Sequence, residues 1–435
     1  MKLAVVVQRY GADISGGAEL HARYIAEHLS SHAEVTVLTT CARNYVTWRN
    51  EFPAGTKVVG GVRVERFRVS RERDLRDFDR RSRRVFGLAH SVEEELDWLE
   101  SQGPVSHDLI RRLRSAAREF DYVLLFSMRY HHAYHGARLA PERAVLVPTA
   151  ERDPALGLSI LKPILCGVRA IMYNSLEERA LINAVAGNED VPGVVVGVGS
   201  EIPASVEPAR ARQKFGLQHP FVIYVGRIDA NKGCAELFDF FMRYARNSSR
   251  PLDLVLIGTP VLQIPKHPRI RHLGYVSDQD KFDAVAAAEA LVMPSYYESL
   301  SMVALEAWAL GRPVLANAHC DVLLGQCLRS NAGLYYETAA EFAGALDTLV
   351  DNTPLANALG RNGRDYFTRH YGWPVIERKY LEMFERLASE PSSHAMAPLP
   401  GWLARRRRTL PPASEVLADV PAGPAVDRRP TEVPA

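Results

Sequence analysis

The chain has 435 residues, 47% of them apolar and 24% charged. That length exceeds the ~250–300 residues at which one hydrophobic core stops growing, so two domains are expected. A formal net charge of +2 argues against a nucleic-acid partner, and any anion site has to be local.

Residues 3–7 (LAVVV) form a short apolar run that suits a strand buried on both faces rather than a signal peptide. The turn-rich GADISGG follows, then a helical pattern in AELHARYIAEHLS and a β-branched strand, EVTVLTT. This β–loop–α–β unit builds a parallel sheet. Residues 63–84 carry ten arginines against five acids. With the helix-like segment 91–119 they read as an insertion, about 63–119. Strand patterns return at 121–127, 143–149 and 170–175, and 176–186 reads as helix. The glycine-punctuated segment 191–203 reads as a linker. The alternation then restarts, with strands at 221–226, 252–258, 289–295 and 312–317. Helices are expected at 233–246, 278–288, 301–310, 339–350, 354–370 and 374–389. From Pro391 onward nine of 45 residues are proline and periodicity disappears, as in a disordered tail. The expected architecture is α/β, with two doubly wound Rossmann-like domains, 1–197 and 198–372. A closing helix, 373–390, and the tail 391–435 complete it.

No stretch approaches the ~20 apolar residues of a membrane helix. The five cysteines, an odd number without a Cys-x-x-Cys pair, fit a reducing cytoplasm better than a disulfide framework or zinc site.

Three segments carry chemistry. In YYESLSMVALEAWALGRPVLA (296–316), Glu298 precedes a helix expected to start near Ser301. Glu306 lies about 8 Å further along its axis at ~1.5 Å per residue. The first-turn N–H groups lack intrahelical partners, and the carboxylates can each accept from sugar hydroxyls. The same pattern is also compatible with surface charges at a helix start. In VGRIDANKG (225–233), Arg227 and Lys232 flank a turn between Gly226 and a helix, where a diphosphate would be neutralised. A solvated basic loop is the alternative. In the loop Gly11–Glu19, the pair Gly16-Gly17 lets backbone approach a phosphate, or is simply a turn.

Taken together, these segments resemble the retaining glycosyltransferases of group 1, family 4, with the GT-B fold. The likeness runs from Met1 to about Leu387. It includes GGAELHARYIAEHLS–EVTVLTT, VVVGVGSEI, GRIDANKG, ESLSMVALE, GRPVLA and the closing YGWPVIERKYLEMFERL. The resemblance implies two domains facing across a cleft, with the last helix crossing back to the first domain. It implies a hexosyltransferase that uses a nucleotide-diphosphate sugar as co-substrate, without a metal or other cofactor, in glycan or glycolipid synthesis. Arg227 and Lys232 would hold the donor diphosphate. Glu306 would accept from the ribose. Glu298, with the amides of Ser299, Leu300 and Ser301, would orient the sugar. Gly16 and Gly17 would pack against the distal phosphate or the acceptor, and Gly226 opens the donor turn. Arg227, Lys232 and Glu298 are the expected catalytic groups, and no side chain is nominated as nucleophile. The family often places a histidine in the first domain beside the donor sugar. Here VPTAERDPAL (147–156) puts Glu151 there, so Glu151 takes over sugar contact, or the donor differs, or activity is reduced. The last possibility leaves a weak or inactive nucleotide- or glycan-binding protein as the alternative function.

Other features are weaker. Asp77–Asp79 and Asp278–Asp280 resemble metal-binding pairs, but one falls in the arginine-rich stretch and the other opens a helix. His131, His132 and His135 follow a strand without a completing ligand. Arg129 and Tyr130 beside them are candidate acceptor contacts. The 63–84 arginines read as a partly self-paired face, or as a site for an acidic acceptor such as a lipid phosphate. Arg405–Arg408 beside Trp402 and Leu403 admits peripheral contact with the inner membrane face. A dinucleotide-dependent dehydrogenase is disfavoured, because no G-x-G-x-x-G follows a first strand.

Overall fold

The computed structural model describes residues 1–14, 16–392 and 396–399. The expected tail therefore lies mostly outside the described residues, together with its basic cluster. Two parallel sheets organise the chain. The first has eight strands: β1 (Lys2–Val6), β2 (Glu34–Thr40), β3 (Gly55–Val59), β4 (Val62–Phe67), β5 (Tyr122–Phe126), β6 (Ala144–Val147), β7 (Ala170–Tyr173) and β8 (Gly193–Val195). Their spatial order is β3-β4-β2-β1-β5-β6-β7-β8. All pairings are parallel except β3 with β4. The second sheet has six strands: β9 (Phe221–Val225), β10 (Asp253–Ile257), β11 (Ile270–His272), β12 (Ala290–Met293), β13 (Val314–Asn317) and β14 (Gly333–Tyr336). Their order is β11-β10-β9-β12-β13-β14, all parallel.

The central strands are apolar on both faces because helices cover both. Leu3 to Val6, Tyr122 to Phe126 and Phe221 to Val225 are all buried. This is the pattern of parallel sheets fed by right-handed crossovers. Each sheet reverses its strand order once, between β1 and β5 in the first and between β9 and β12 in the second. Loops leaving those strands at their carboxyl ends border a crevice, where ligands bind in doubly wound folds.

Two expectations about boundaries change. The arginine-rich stretch does not begin as an insertion, because Val62–Phe67 is β4 and pairs in register with β2. Its alternating Val62 and Val64 carry the inward face, between arginines that masked the pattern. The segment 191–203 is not purely linker, because Gly193–Val195 pairs with β7; three residues are too few to show a period. Residues 91–119 form two helices, Val92–Gln102 and His107–Glu119, and a third, Leu75–Gly87, lies within the arginine run. The closing helix Trp373–Ser389 reaches the first sheet, where Tyr122 stacks on Phe384 at 5.1 Å. Its Trp373 ring lies flat on His28, 3.6 Å away.

Candidate active site

Four loops at the two reversal points carry nearly every residue singled out from the sequence. After β9 the chain turns through Gly226 (φ 151°) and Arg227, then through a short 3-10 turn, Ala230–Lys232, capped by Asp229. Gly233 (φ 72°) closes it and opens the helix Cys234–Asn247. A Cβ on Gly233 would collide with the Pro294 carbonyl oxygen, so the loops after β9 and β12 are pressed together there.

That contact brings Lys232 to Glu298. The Lys232 ammonium donates to Glu298 Oε1 at 2.9 Å. Burial works against the Lys232 charge, but Glu298 and Glu151 outweigh it, and its pKa lies above the ordinary lysine value. Glu151, from the loop after β6 in the first domain, is therefore within electrostatic reach of Lys232 across the gap. Burial raises the pKa of the Glu151 carboxyl, Lys232 opposes the rise, and Glu298 adds to it. Lys232, Glu298 and Glu151 thus form one charged cluster contributed by both domains.

Arg227 also points into the gap. Its Nε pairs with Asp229 at 2.7 Å. Its Nη1 donates to the Tyr45 hydroxyl of the first domain at 3.2 Å. Two guanidinium groups, of Arg227 and Arg9, lie over the Tyr45 ring, each 5.7 Å from its centroid. Tyr45 gave no sign of this role in the sequence. It stands in an irregular loop, and its partner is 182 residues away.

Glu306 lies on the helix Met302–Ala309 and is 2% exposed. Lys281 and Ser200 both donate to its Oε1, at 2.9 and 3.1 Å. Its Oε2 is buried without a hydrogen-bond partner. A carboxylate pinned through one oxygen, with the other unmatched, is an acceptor held ready for a ligand hydroxyl. It does not touch the Lys232–Glu298 pair; the helix sets it apart. Ser301 caps that helix in the left-handed region (φ 69°) with no side-chain cap bond, and its buried hydroxyl also lacks a partner. Non-glycine residues so placed cost about 1–3 kcal/mol and concentrate at functional sites. Ser299 precedes it in the loop and Leu300 is buried beside it.

In the first domain, Gly16 caps the helix Gly17–Leu29 after the β1 loop. A Cβ there would run into the Glu19 carboxylate and come within 2.9 Å of Arg9. The partners of that obstacle form an ion pair at 2.6 Å. Gly17, by contrast, faces open space. Arg129 and Tyr130 follow β5. Arg129 is committed to Asp153 at 2.6 Å, and Tyr130 packs edge-on to Trp48 at 5.7 Å. His131, His132 and His135 are largely neutral: burial lowers their pKa values to about 3, 4 and 4. Among the described residues no group of three His, Cys, Asp or Glu is placed to hold a metal. Of the two Asp pairs, Asp77 and Asp79 bond arginines of their own helix, while Asp278 and Asp280 face Lys281 and Lys214.

Two facing doubly wound domains, with charged loops at both reversal points, define the GT-B class of glycosyltransferase folds. Solved structures share it, two of them as follows. One is HepE of Anabaena in complex with UDP and glucose, at TM-score 0.66 and 17% identity, covering 90% of this chain and all of that one. The other is sucrose-phosphate synthase of Thermosynechococcus elongatus, at TM-score 0.61 and 17% identity, covering 89% and 99%.

The sequence itself identifies the second domain. Residues 205–366 match the family described as glycosyl transferases group 1. Among curated relatives, mannosylfructose-phosphate synthase of Agrobacterium fabrum is 34% identical over 125 residues, 25% of this chain and 27% of that protein. Glycogen synthase of Mycobacterium tuberculosis is 27% identical over 189 residues, 40% and 45%. The chain thus spans about half or less of the length of these relatives.

Proposed function

We propose that the chain is a retaining hexosyltransferase that uses a nucleotide-diphosphate sugar as donor and a glycan or glycolipid as acceptor. The observation that carries this is the cluster of Lys232, Glu298 and Glu151, assembled from both domains beside Arg227 at the reversal point. In this reading the donor diphosphate lies over Arg227 and Lys232, which exchange their present partners for phosphate oxygens. The unmatched Oε2 of Glu306 accepts from a ribose hydroxyl. Glu298 and the amides at Ser299–Ser301 orient the sugar, and Glu151 accepts from its hydroxyls across the gap. Gly16 and Gly17 lie against the distal phosphate or acceptor.

The chemical step breaks the bond between the anomeric carbon and the leaving phosphate oxygen and forms one to the acceptor oxygen. The acceptor proton passes to the departing phosphate. Charge that develops on the leaving group is met by Arg227, Lys232 and the helix terminus. Such preorganised electrostatics usually supplies the largest catalytic term. Two fixed cations at that position also support a reaction without metal or other cofactor. We place the protein in the cytoplasm, with contact at the inner membrane face for a lipid-linked acceptor. Among the described residues no helix is long and apolar enough to cross a membrane.

The test is donor hydrolysis and transfer by the purified full chain with UDP-, GDP- and ADP-hexoses, beginning with UDP-glucose, which HepE of Anabaena binds. Turnover with one donor and an α-linked product are expected. A second reading, a nucleotide- or glycan-binding protein of little activity, is favoured by the carboxylate at position 151. Saturable nucleotide binding without turnover on any donor would select it.

A further inference from the structure

We propose that a second pocket, at the edge of the arginine-rich segment, binds a phosphoryl group carried by the acceptor. The pocket has a volume of about 460 Å³ and lies between the first turn of the helix Leu75–Gly87 and the loop around Trp48. That is room for a phosphorylated sugar rather than a bare ion. Naming its occupant as acceptor rests on the transferase reading; the anion site itself does not.

Charge on the pocket wall is not evenly cancelled. Arg80 is neutralised by Asp77, and Glu72 faces Arg49 at 3.7 Å. Asp74 accepts from the Arg76 and Asp77 amides at 2.9 and 3.2 Å as the helix cap. Arg71 and Arg76 are exposed on the lining, and among the described residues neither has an ion-pair partner. Arg73 is sunk into the wall over the Trp48 ring at 4.6 Å and Phe78 at 4.9 Å. It donates only to neutral oxygens, those of Gln102, Tyr45 and Val46. Burial lowers its pKa to about 10, which leaves it charged at neutral pH. Three guanidinium groups therefore face the capping Asp74 and one other acid, Glu100, which has no ion-pair partner among the described residues. The N-terminal end of the helix adds its partial positive charge on the same side. Arginine forks match phosphate oxygens bidentately.

The pocket also connects to the transfer centre. Arg73 holds the carbonyls of Tyr45 and Val46, and the Tyr45 hydroxyl accepts from Arg227. One short loop thus carries the pocket wall at one end and the proposed diphosphate ligand's partner at the other. An anchored acceptor would lie on the first-domain side of the gap.

The test is calorimetric titration of the full chain with glucose 6-phosphate and with glucose, with and without saturating UDP. Sedimentation with phosphatidylglycerol and with phosphatidylcholine vesicles runs in parallel. The same measurements are made on R71Q/R76Q, whose fold is checked by circular dichroism. Glucose 6-phosphate should bind at least about tenfold more tightly than glucose, the order expected for charge-assisted hydrogen bonds. R71Q/R76Q should lose that preference and keep its UDP affinity. Selective binding to phosphatidylglycerol alone, lost in R71Q/R76Q, assigns the phosphoryl group to a lipid headgroup. Binding of the soluble probe assigns it to a free phosphorylated sugar. Absence of both, or binding unchanged in R71Q/R76Q, overturns the proposal. Loss of UDP binding with the phosphate site intact would instead count against the transferase reading alone.

Discussion

Glu306 shows how a single side chain can be prepared for a ligand. Lys281 and Ser200 fix one carboxylate oxygen and burial strands the other. Glu306→Ala should weaken UDP binding by about 1.5–3 kcal/mol, roughly ten- to hundredfold, the cost of a lost hydrogen bond to a charged group. Calorimetry checks this, and an unchanged affinity would remove the ribose assignment. Glu151 makes a prediction in pH. Its carboxyl titrates above the ordinary value of 4.5 because it is buried, even though Lys232 opposes the shift. A raised pKa means the proton is taken up at higher pH. If the ionised form holds the sugar, activity should fall on acidification along a limb displaced above pH 4.5, and Glu151→Gln should remove that limb. A limb that stays in place in the variant would show that Glu151 is not its source. Residue types and spacing made Arg227, Lys232, Glu298 and Glu306 legible in the sequence. Tyr45, Arg9, Lys281 and Ser200 were not, because each meets its partner through tertiary contact rather than within one element.

At the scale of elements, the loops after β9 and β12 work as one unit, joined where Gly233 meets Pro294. Gly233→Ala combines a left-handed φ with a collision against backbone. It should cost at least ~2 kcal/mol in denaturant unfolding and raise the donor KM as the Lys232–Glu298 pair is displaced. Gly17→Ala meets nothing within 4 Å and should leave stability unchanged, which separates a steric cause from a general dislike of substitution. Strands buried along nearly their whole length, such as β1, β5, β9 and β10, announced themselves as apolar runs. β4 and β8 did not. Arginines interrupt the first, and the second is held by β7 rather than by its own three residues. Helix Leu75–Gly87 escaped for a related reason: among its side chains Val85 is the buried one, so its apolar stripe is too thin to stand out from the charges.

Over the whole molecule, two sheets of independent register place their reversal points face to face. Contacts such as Tyr45–Arg227 and Arg152–Asp321, the latter at 2.7 Å, join the facing loops. The alternation of strands and helices was enough to expect this architecture, whereas the side-chain pairs that span the gap depend on tertiary geometry no local pattern encodes. The central claim is that Arg227 and Lys232 receive a diphosphate in that gap. Its most direct test is calorimetric binding of UDP, GDP and ADP to the full chain, with Arg227→Ala and Lys232→Ala in parallel. The account predicts saturable binding of at least one nucleotide, weakened about tenfold or more in each variant, with folding intact. Failure of all three nucleotides to bind, or equal affinity in both variants, would contradict it.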